Sequence, residues 1–274
     1  MLMRAIPKTG EEISAIGLGT WQGFDIGNGE AERNSCAQVL RHLFAAGGTV
    51  IDSSPRYGRA EEVTGDLLDV INPDAKPFLA TKVRVNGEAA GLRQIEESFR
   101  LMRTETMDLF QIHNLVDWRT HLGTLRRLKD EGRVRYIGIT HYTSSALPEL
   151  AAIIRAEELD FVQLAYSLAV PNAAEELLPL CADKGVAVLV NRPFDGGGMF
   201  YDVRDRDLPP WAGEFDITSW SRYFLKFIIA HPAVTCVIPG TGNPGRAEDD
   251  FAAGNGYIPS RADAAKMLDY WYGL

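Results

Sequence analysis

The chain has 274 residues and a mass of 30.2 kDa, enough for one large α/β barrel or two modest domains and for a sizeable core. With 46% hydrophobic and 24% charged residues, its composition is that of a globular enzyme and not of a disordered or fibrous chain. Its 28 basic and 37 acidic residues leave a formal charge of −9, which argues against a nucleic acid or an anionic membrane as partner and means that any anionic ligand must meet a local basic patch.

Cys36, Cys181 and Cys236 are widely spaced and odd in number, so they suggest neither a disulfide framework nor a zinc site. The N-terminal stretch lacks the apolar centre of a signal peptide, and no apolar run approaches membrane-spanning length. The expectation is a soluble cytoplasmic protein, monomeric or weakly self-associating.

In chain order, a polar turn at residues 8–12 precedes the small-residue strand 16–21, Ile-Gly-Leu-Gly-Thr-Trp. A helix follows from about Ala31, with Cys36, Val39, Leu40, Leu43 and Phe44 forming one apolar stripe before Gly47-Gly48. Thr49-Val50-Ile51 leads to Asp52. Helices are predicted over 61–70, around Leu92 to Met102, around Leu122 to Leu128, over 147–155, over 175–184 and over 217–230. Between them lie strands at 78–82, 108–112, 136–140, 161–165, 186–190 and 234–238. Eight strands alternating with helices predict a single (β/α)₈ TIM barrel domain over residues 1–274, with a short N-terminal β-hairpin cap. A doubly wound open sheet is the alternative, but no Gly-x-Gly-x-x-Gly turn opens a helix. The loop 194–214 has no evident element and reads either as a cover over the site or as a surface excursion.

Residues just past the strand ends of such a barrel face the active site. Here they include Asp52 with Tyr57, Lys82, His113, Thr140 with His141, and Gln163 with Tyr166. A tyrosine can protonate a carbonyl oxygen if a lysine ammonium lowers its pKa and an aspartate holds that lysine charged. A histidine can orient the same oxygen by hydrogen bonding. Tyr57, Lys82, Asp52 and His113 suit those roles. Each has a plain structural reading too, but three successive strand ends supplying the set favours one site.

The motifs Gly17-Leu18-Gly19-Thr20-Trp21, Ile51-Asp52-Ser53-Ser54-Pro55-Arg56-Tyr57-Gly58, Ala80-Thr81-Lys82, Met107 to His113, Gly132 to Thr140 and Val237-Ile238-Pro239-Gly240-Thr241 together resemble the aldo-keto reductase family from about residue 4 to 252. The resemblance implies reduction of aldehydes or ketones by an extended nicotinamide cofactor, NADP(H) in preference to NAD(H), with Asp52, Tyr57, Lys82 and His113 as catalytic tetrad. It also implies cofactor contacts at Gly19, Thr20 and Trp21. Gln163, Thr140 and His141 would meet the carboxamide, Tyr166 would stack on the nicotinamide ring, and Pro193, Phe194 and Gly197 would line the pyrophosphate. Gly240 and Thr241 stand where the family has Lys-Ser. Arg246 matches the arginine that binds the 2′-phosphate, and Asp250 replaces an adenine-binding Asn. The connection 114–119 and the C-terminal tail are short for the family. Trp21, Phe24, Trp118 and Trp211 remain as apolar lining, which favours an uncharged carbonyl or alcohol substrate. Two rivals are a non-catalytic NADP(H) sensor on the same fold and a Schiff-base aldolase using Lys82.

Overall fold

The computed structural model describes residues 1–274. Two short strands, β1 (Met3–Ala5) and β2 (Glu12–Ser14), pair antiparallel as a hairpin. Eight parallel strands follow: β3 (Leu18–Gly19), β4 (Val50–Asp52), β5 (Phe78–Val83), β6 (Met107–His113), β7 (Val134–Thr140), β8 (Phe161–Ala165), β9 (Ala187–Asn191) and β10 (Cys236–Val237), hydrogen-bonded in that order. Isolated bridges Ile16 to Val237 and Gly19 to Gly240 bring the first strand back to the last, giving a nearly closed barrel. The seam is short because Pro239 has no N–H to extend the ladder of β10.

The helices that return the chain are α1 (Glu30–Ala45), α2 (Ala60–Ile71), α3 (Glu88–Leu101), α4 (Trp118–Asp130), α5 (Leu147–Ala156), α6 (Leu177–Lys184), α7 (Gly198–Asp202), α8 (Trp220–Ile229), α9 (Pro244–Ala252) and α10 (Arg261–Tyr272). The stripe predicted on α1 is buried at Cys36, Val39, Leu40 and Leu43. The sequence reading does not include α10, although Ser260 and Asp263 form a complete capping box at its start. Residues 194–214 are also better anchored than expected. Met199, Val203 and Ala212 are buried, and Phe200 packs on Phe224 at 5.4 Å.

Strand alternation divides the buried residues in two. Outward-facing Ile51, Leu79, Val83, Phe110, Ile112, Ile137, Ile139, Val162, Leu164, Val188, Val190 and Val237 join the helices in the large core. Inward-facing Val50, Phe78, Ala80, Leu109, Tyr136, Phe161, Ala187, Leu189 and Cys236 form a separate plug, closed below by Ile6 and Ile13 of the hairpin region. Gly138 is required in this interior, since a Cβ there would lie 2.7 Å from the Phe161 carbonyl oxygen. Two residues further along several strands the inward positions turn polar: Asp52 above Val50, Lys82 above Ala80, Gln111 above Leu109 and Gln163 above Phe161. The apolar plug is therefore the floor of a polar chamber.

Candidate active site

Lys82 is fully buried, and its Nζ donates to Asp52 Oδ2 at 2.5 Å and to the Ser53 carbonyl at 2.8 Å. The same ammonium lies 5.0 Å from the centroid of the Tyr57 ring. Burial alone would discharge a lysine. Asp52 and Tyr57 outweigh that cost and lift the Lys82 pKa above its usual value, so it stays charged. Burial pushes the Tyr57 pKa up while Lys82 pulls it down, and the phenol remains above its ordinary value. Tyr57 is thus a neutral acid at pH 7, with a cation placed to stabilise its phenolate.

His113 meets Tyr57 edge-on, with ring centroids 6.0 Å apart. Burial, followed by the charges of Lys82, Arg84 and Arg56, lowers its pKa to about 2, so the imidazole is neutral. Ser54 fixes which nitrogen holds the proton. Its buried Oγ accepts the Arg56 N–H at 3.2 Å and lies 3.0 Å from His113 Nδ1, with no other acceptor for its own proton. The hydroxyl therefore donates to Nδ1, and Nε2 carries the imidazole proton.

Beneath these groups, Asp52 Oδ1 accepts from Gln111 Nε2 at 3.0 Å and from Gln163 Nε2 at 2.9 Å. Gln163 also donates to Gln111 Oε1 at 3.2 Å, and its Oε1 accepts from Thr140 and Asn191, each at 3.3 Å. Every donor and acceptor of that amide is used. In this arrangement Gln163 braces Asp52. Tyr166 is 4% exposed, stacked on Phe227 at 5.5 Å and edge-on to His231. Its ring is part of the packing between β8 and α8.

The remaining expected positions are spread around the rim. Gly19 and Gly240 form the barrel seam, and buried Thr20 turns its hydroxyl onto the Asp52 carbonyl and Ser53 Oγ. Trp21 is 47% exposed. His141 stacks on Tyr142 and accepts the Thr143 N–H at Nδ1, which leaves Nε2–H as its donor. Burial holds its pKa below the usual range. Pro193 is buried, Phe194 packs on Phe200 at 5.0 Å, and Gly197 is half-buried with φ 96°. Thr241 Oγ1 accepts the Asn243 N–H at 3.1 Å. Arg246, in the first turn of α9, is exposed and has no ion pair. Asp250 is buried and accepts from Ser221 of α8, so it is a helix contact and not a free adenine ligand. Phe24 is fully buried, and Trp211 packs among Phe215, Tyr223 and Tyr270, so neither lines an open pocket.

Sequence reasoning missed the bracing role of Gln111 and the proton placement by Ser54. The first was readable as the inward position one alternation step before His113. Asn191, a residue that the strand pattern does place at a strand end, keeps a buried Oδ1 acceptor with no partner at the end of β9. Its register partner Ala165 and its chain neighbour Arg192 help line a cavity of about 220 Å³, together with Tyr142, Ser144 and Asp195.

A nearly closed parallel barrel gathers Asp52, Lys82, Tyr57 and His113 at the C-terminal ends of its strands, and no separate dinucleotide-binding domain accompanies it. The sequence matches the aldo/keto reductase family over residues 15–261, and the chain belongs to that family of NAD(P)H-dependent oxidoreductases. It is 28% identical to the aldo-keto reductase YhdN of Bacillus subtilis (strain 168), covering 89% of this chain and 86% of that protein. It is 26% identical to the NADH-specific methylglyoxal reductase of Escherichia coli (strain K12), covering 71% and 68% respectively. Its fold is similar, with a TM-score of 0.82 and 24% identity, to the crystal structure of an aldo/keto reductase from Klebsiella pneumoniae in complex with NADP and acetate, covering 98% of this chain and 95% of that one. No helix is long and apolar enough to cross a membrane.

Proposed function

We propose that this protein reduces an aldehyde or ketone to an alcohol by hydride transfer from NADPH, with Tyr57 giving the proton. The observation that carries this reading is the fully buried Lys82 ammonium, held between the Asp52 carboxylate at 2.5 Å and the Tyr57 ring at 5.0 Å.

The residues present suit the cofactor. The unpaired Asn191 Oδ1 can accept from a carboxamide, and His141 Nε2–H can donate to one. Arg246 is a free cation for a 2′-phosphate, which favours NADPH over NADH. When bound, the cofactor supplies a hydride to the carbonyl carbon. As negative charge grows on the carbonyl oxygen, His113 Nε2–H hydrogen-bonds to it and Tyr57 passes its phenolic proton to it. Lys82 stabilises the resulting phenolate, and Asp52, braced by Gln111 and Gln163, holds Lys82 in place. A Schiff-base role for Lys82 is disfavoured, because a fully enclosed lysine with a raised pKa is a poor nucleophile.

The test is a fluorescence titration with NADPH and NADH, followed by a panel of carbonyl compounds that includes methylglyoxal. NADPH should bind more tightly, and several aldehydes should be turned over. Tyr57→Phe should lose at least about a hundredfold in kcat while cofactor affinity stays within about twofold, because the hydroxyl acts only in the chemical step. Cofactor binding without oxidation by any carbonyl would instead indicate a sensor.

A further inference from the structure

We propose that Arg84 makes this site selective for aldehydes or ketones that carry a carboxylate. The proposal rests on the reductase reading of the same site and names its substrate class.

Position comes first. Lys82 points into the barrel, where its Nζ meets Asp52, and its register partner Gln111 points in beside it to reach the same carboxylate. Side chains alternate along a strand, so the next inward positions are two residues on: His113 after Gln111, and Arg84 after Lys82. The β5–β6 register runs through Val83 and Ile112, and one further step sets Arg84 beside His113. Arg84 is thus the first inward residue above the catalytic lysine, at the mouth of the chamber. Its charge is felt at Tyr57, His113 and His141.

The second observation is the missing partner. The backbone of Arg84 is fixed, its N–H donating to Gln94 Oε1 at 2.6 Å, but its guanidinium makes no ion pair and no hydrogen bond. Every other partly buried arginine has one or both: Arg4, Arg33, Arg59, Arg126, Arg133, Arg135, Arg192 and Arg222. The carboxylates near the mouth are engaged elsewhere, Asp52 with Lys82, Asp195 with Arg192, and Asp117 with the Gly87 N–H. A partly desolvated guanidinium without a counter-ion is costly unless a ligand supplies one. One planar fork matches one carboxylate. In a chain of formal charge −9 this local cation is not part of a general basic field. With Phe24 and Trp211 withdrawn into packing, the uncharged substrate expected from the sequence loses two of its four apolar walls.

The experiment compares 4-formylbenzoate with its methyl ester, which has the same carbonyl and nearly the same shape but no charge. Wild-type protein with saturating cofactor should prefer the acid by about tenfold or more in kcat/KM, mainly through KM, and the preference should shrink with added salt. Arg84→Met should bring the acid-to-ester ratio close to one, and Arg84→Lys should restore part of it. Cofactor fluorescence reports whether each variant is folded. A wild-type ratio near one overturns the proposal. So does an Arg84→Met variant that loses both substrates equally, since Arg84 would then act through Tyr57 or His113. Absence of turnover for either substrate with either cofactor would instead refute the reductase reading beneath it, a result distinct from both.

Discussion

Two lysines in this molecule are completely enclosed, and they behave oppositely. Lys82 faces the Asp52 carboxylate and the Tyr57 ring, and its pKa is raised. Lys226, on α8, faces the backbone carbonyls of Asn255 at 3.0 Å and Tyr257 at 2.5 Å, and burial lowers its pKa. The shifts are opposite because Lys82 touches a carboxylate that offsets desolvation, whereas Lys226 contacts only carbonyl dipoles and the more distant charge of Asp216 is opposed by Arg222. Lys226 ties the segment before α10 onto α8. A buried lysine therefore marks a reactive centre only when a carboxylate keeps it charged and a titratable group stands where that charge is useful.

The largest expected effect is on turnover. Lys82→Met should lower kcat/KM by about a thousandfold, or roughly 4 kcal/mol, and move the basic limb of any residual pH profile upward as Tyr57 loses its cation. Lys226→Met should retain most of its turnover per folded molecule. It should instead lose roughly 1–3 kcal/mol of stability, seen as a lower Tm, because the hydrogen bonds that tie the Asn255 and Tyr257 carbonyls to α8 are lost. Steady-state kinetics and thermal melts of both variants decide the matter. If folded Lys226→Met were as inactive as Lys82→Met, the contrast between the two sites would fail.

The same distinction between paired and unpaired charge applies at the cofactor rim. Arg246 is exposed at the first turn of α9 with no carboxylate partner, so its loss should affect a ligand phosphate and not the fold. Arg246→Ala should weaken NADPH about tenfold to a hundredfold and leave NADH within about twofold. Equal losses for both cofactors in a fluorescence titration would remove Arg246 from 2′-phosphate recognition.

Asp250, one turn further along the same face of that helix, is, like Glu61, a buried carboxylate with no counter-ion contact. Burial lifts its pKa from 3.8 to about 7, against the pull of the Ser221 hydrogen bond. The folded protein therefore holds the proton more tightly than the unfolded chain does. Its stabilising effect is complete below about pH 4 and is lost as pH rises toward 7. Asp250→Asn should be more stable than wild type by roughly 1–2 kcal/mol at pH 8, with the gain disappearing near pH 4. Melting curves across that range that remain parallel would show that Asp250 is charged at no cost in the native state.

The barrel was legible because its signals are repetitive: eight strands alternate with seven 3.6-period helices, and Asp52, Lys82 and His113 fall at successive strand ends. What the sequence hid depends on partners distant in the chain. Gln163 looks like a free amide until Gln111, 52 residues away, is found bonded to it beside Asp52. Tyr166 follows a strand end as a ligand-stacking residue would, yet Phe227 and His231 enclose its ring. Periodicity specifies which face of a strand a residue occupies, but not whether its polar atoms are already used.

The smallest expected effect tests the placement of a single proton. In Ser54→Ala the His113 Nδ1 loses its donor, and the neutral ring can then carry its proton on Nδ1. That tautomer presents a lone pair at Nε2, which repels a carbonyl oxygen where the native ring would donate to it. The loss concerns one neutral hydrogen bond, so kcat/KM should fall only about fivefold, or roughly 1 kcal/mol, with cofactor affinity retained. Imidazole nitrogen chemical shifts should move from the Nε2–H pattern toward the Nδ1–H pattern in the variant, and Ser54→Thr, which keeps a hydroxyl, should restore both the shifts and the rate. An activity loss without a tautomer change would place the effect of Ser54 in packing around the Pro55–Tyr57 turn. A tautomer change without an activity loss would mean that His113 does not donate to the substrate oxygen.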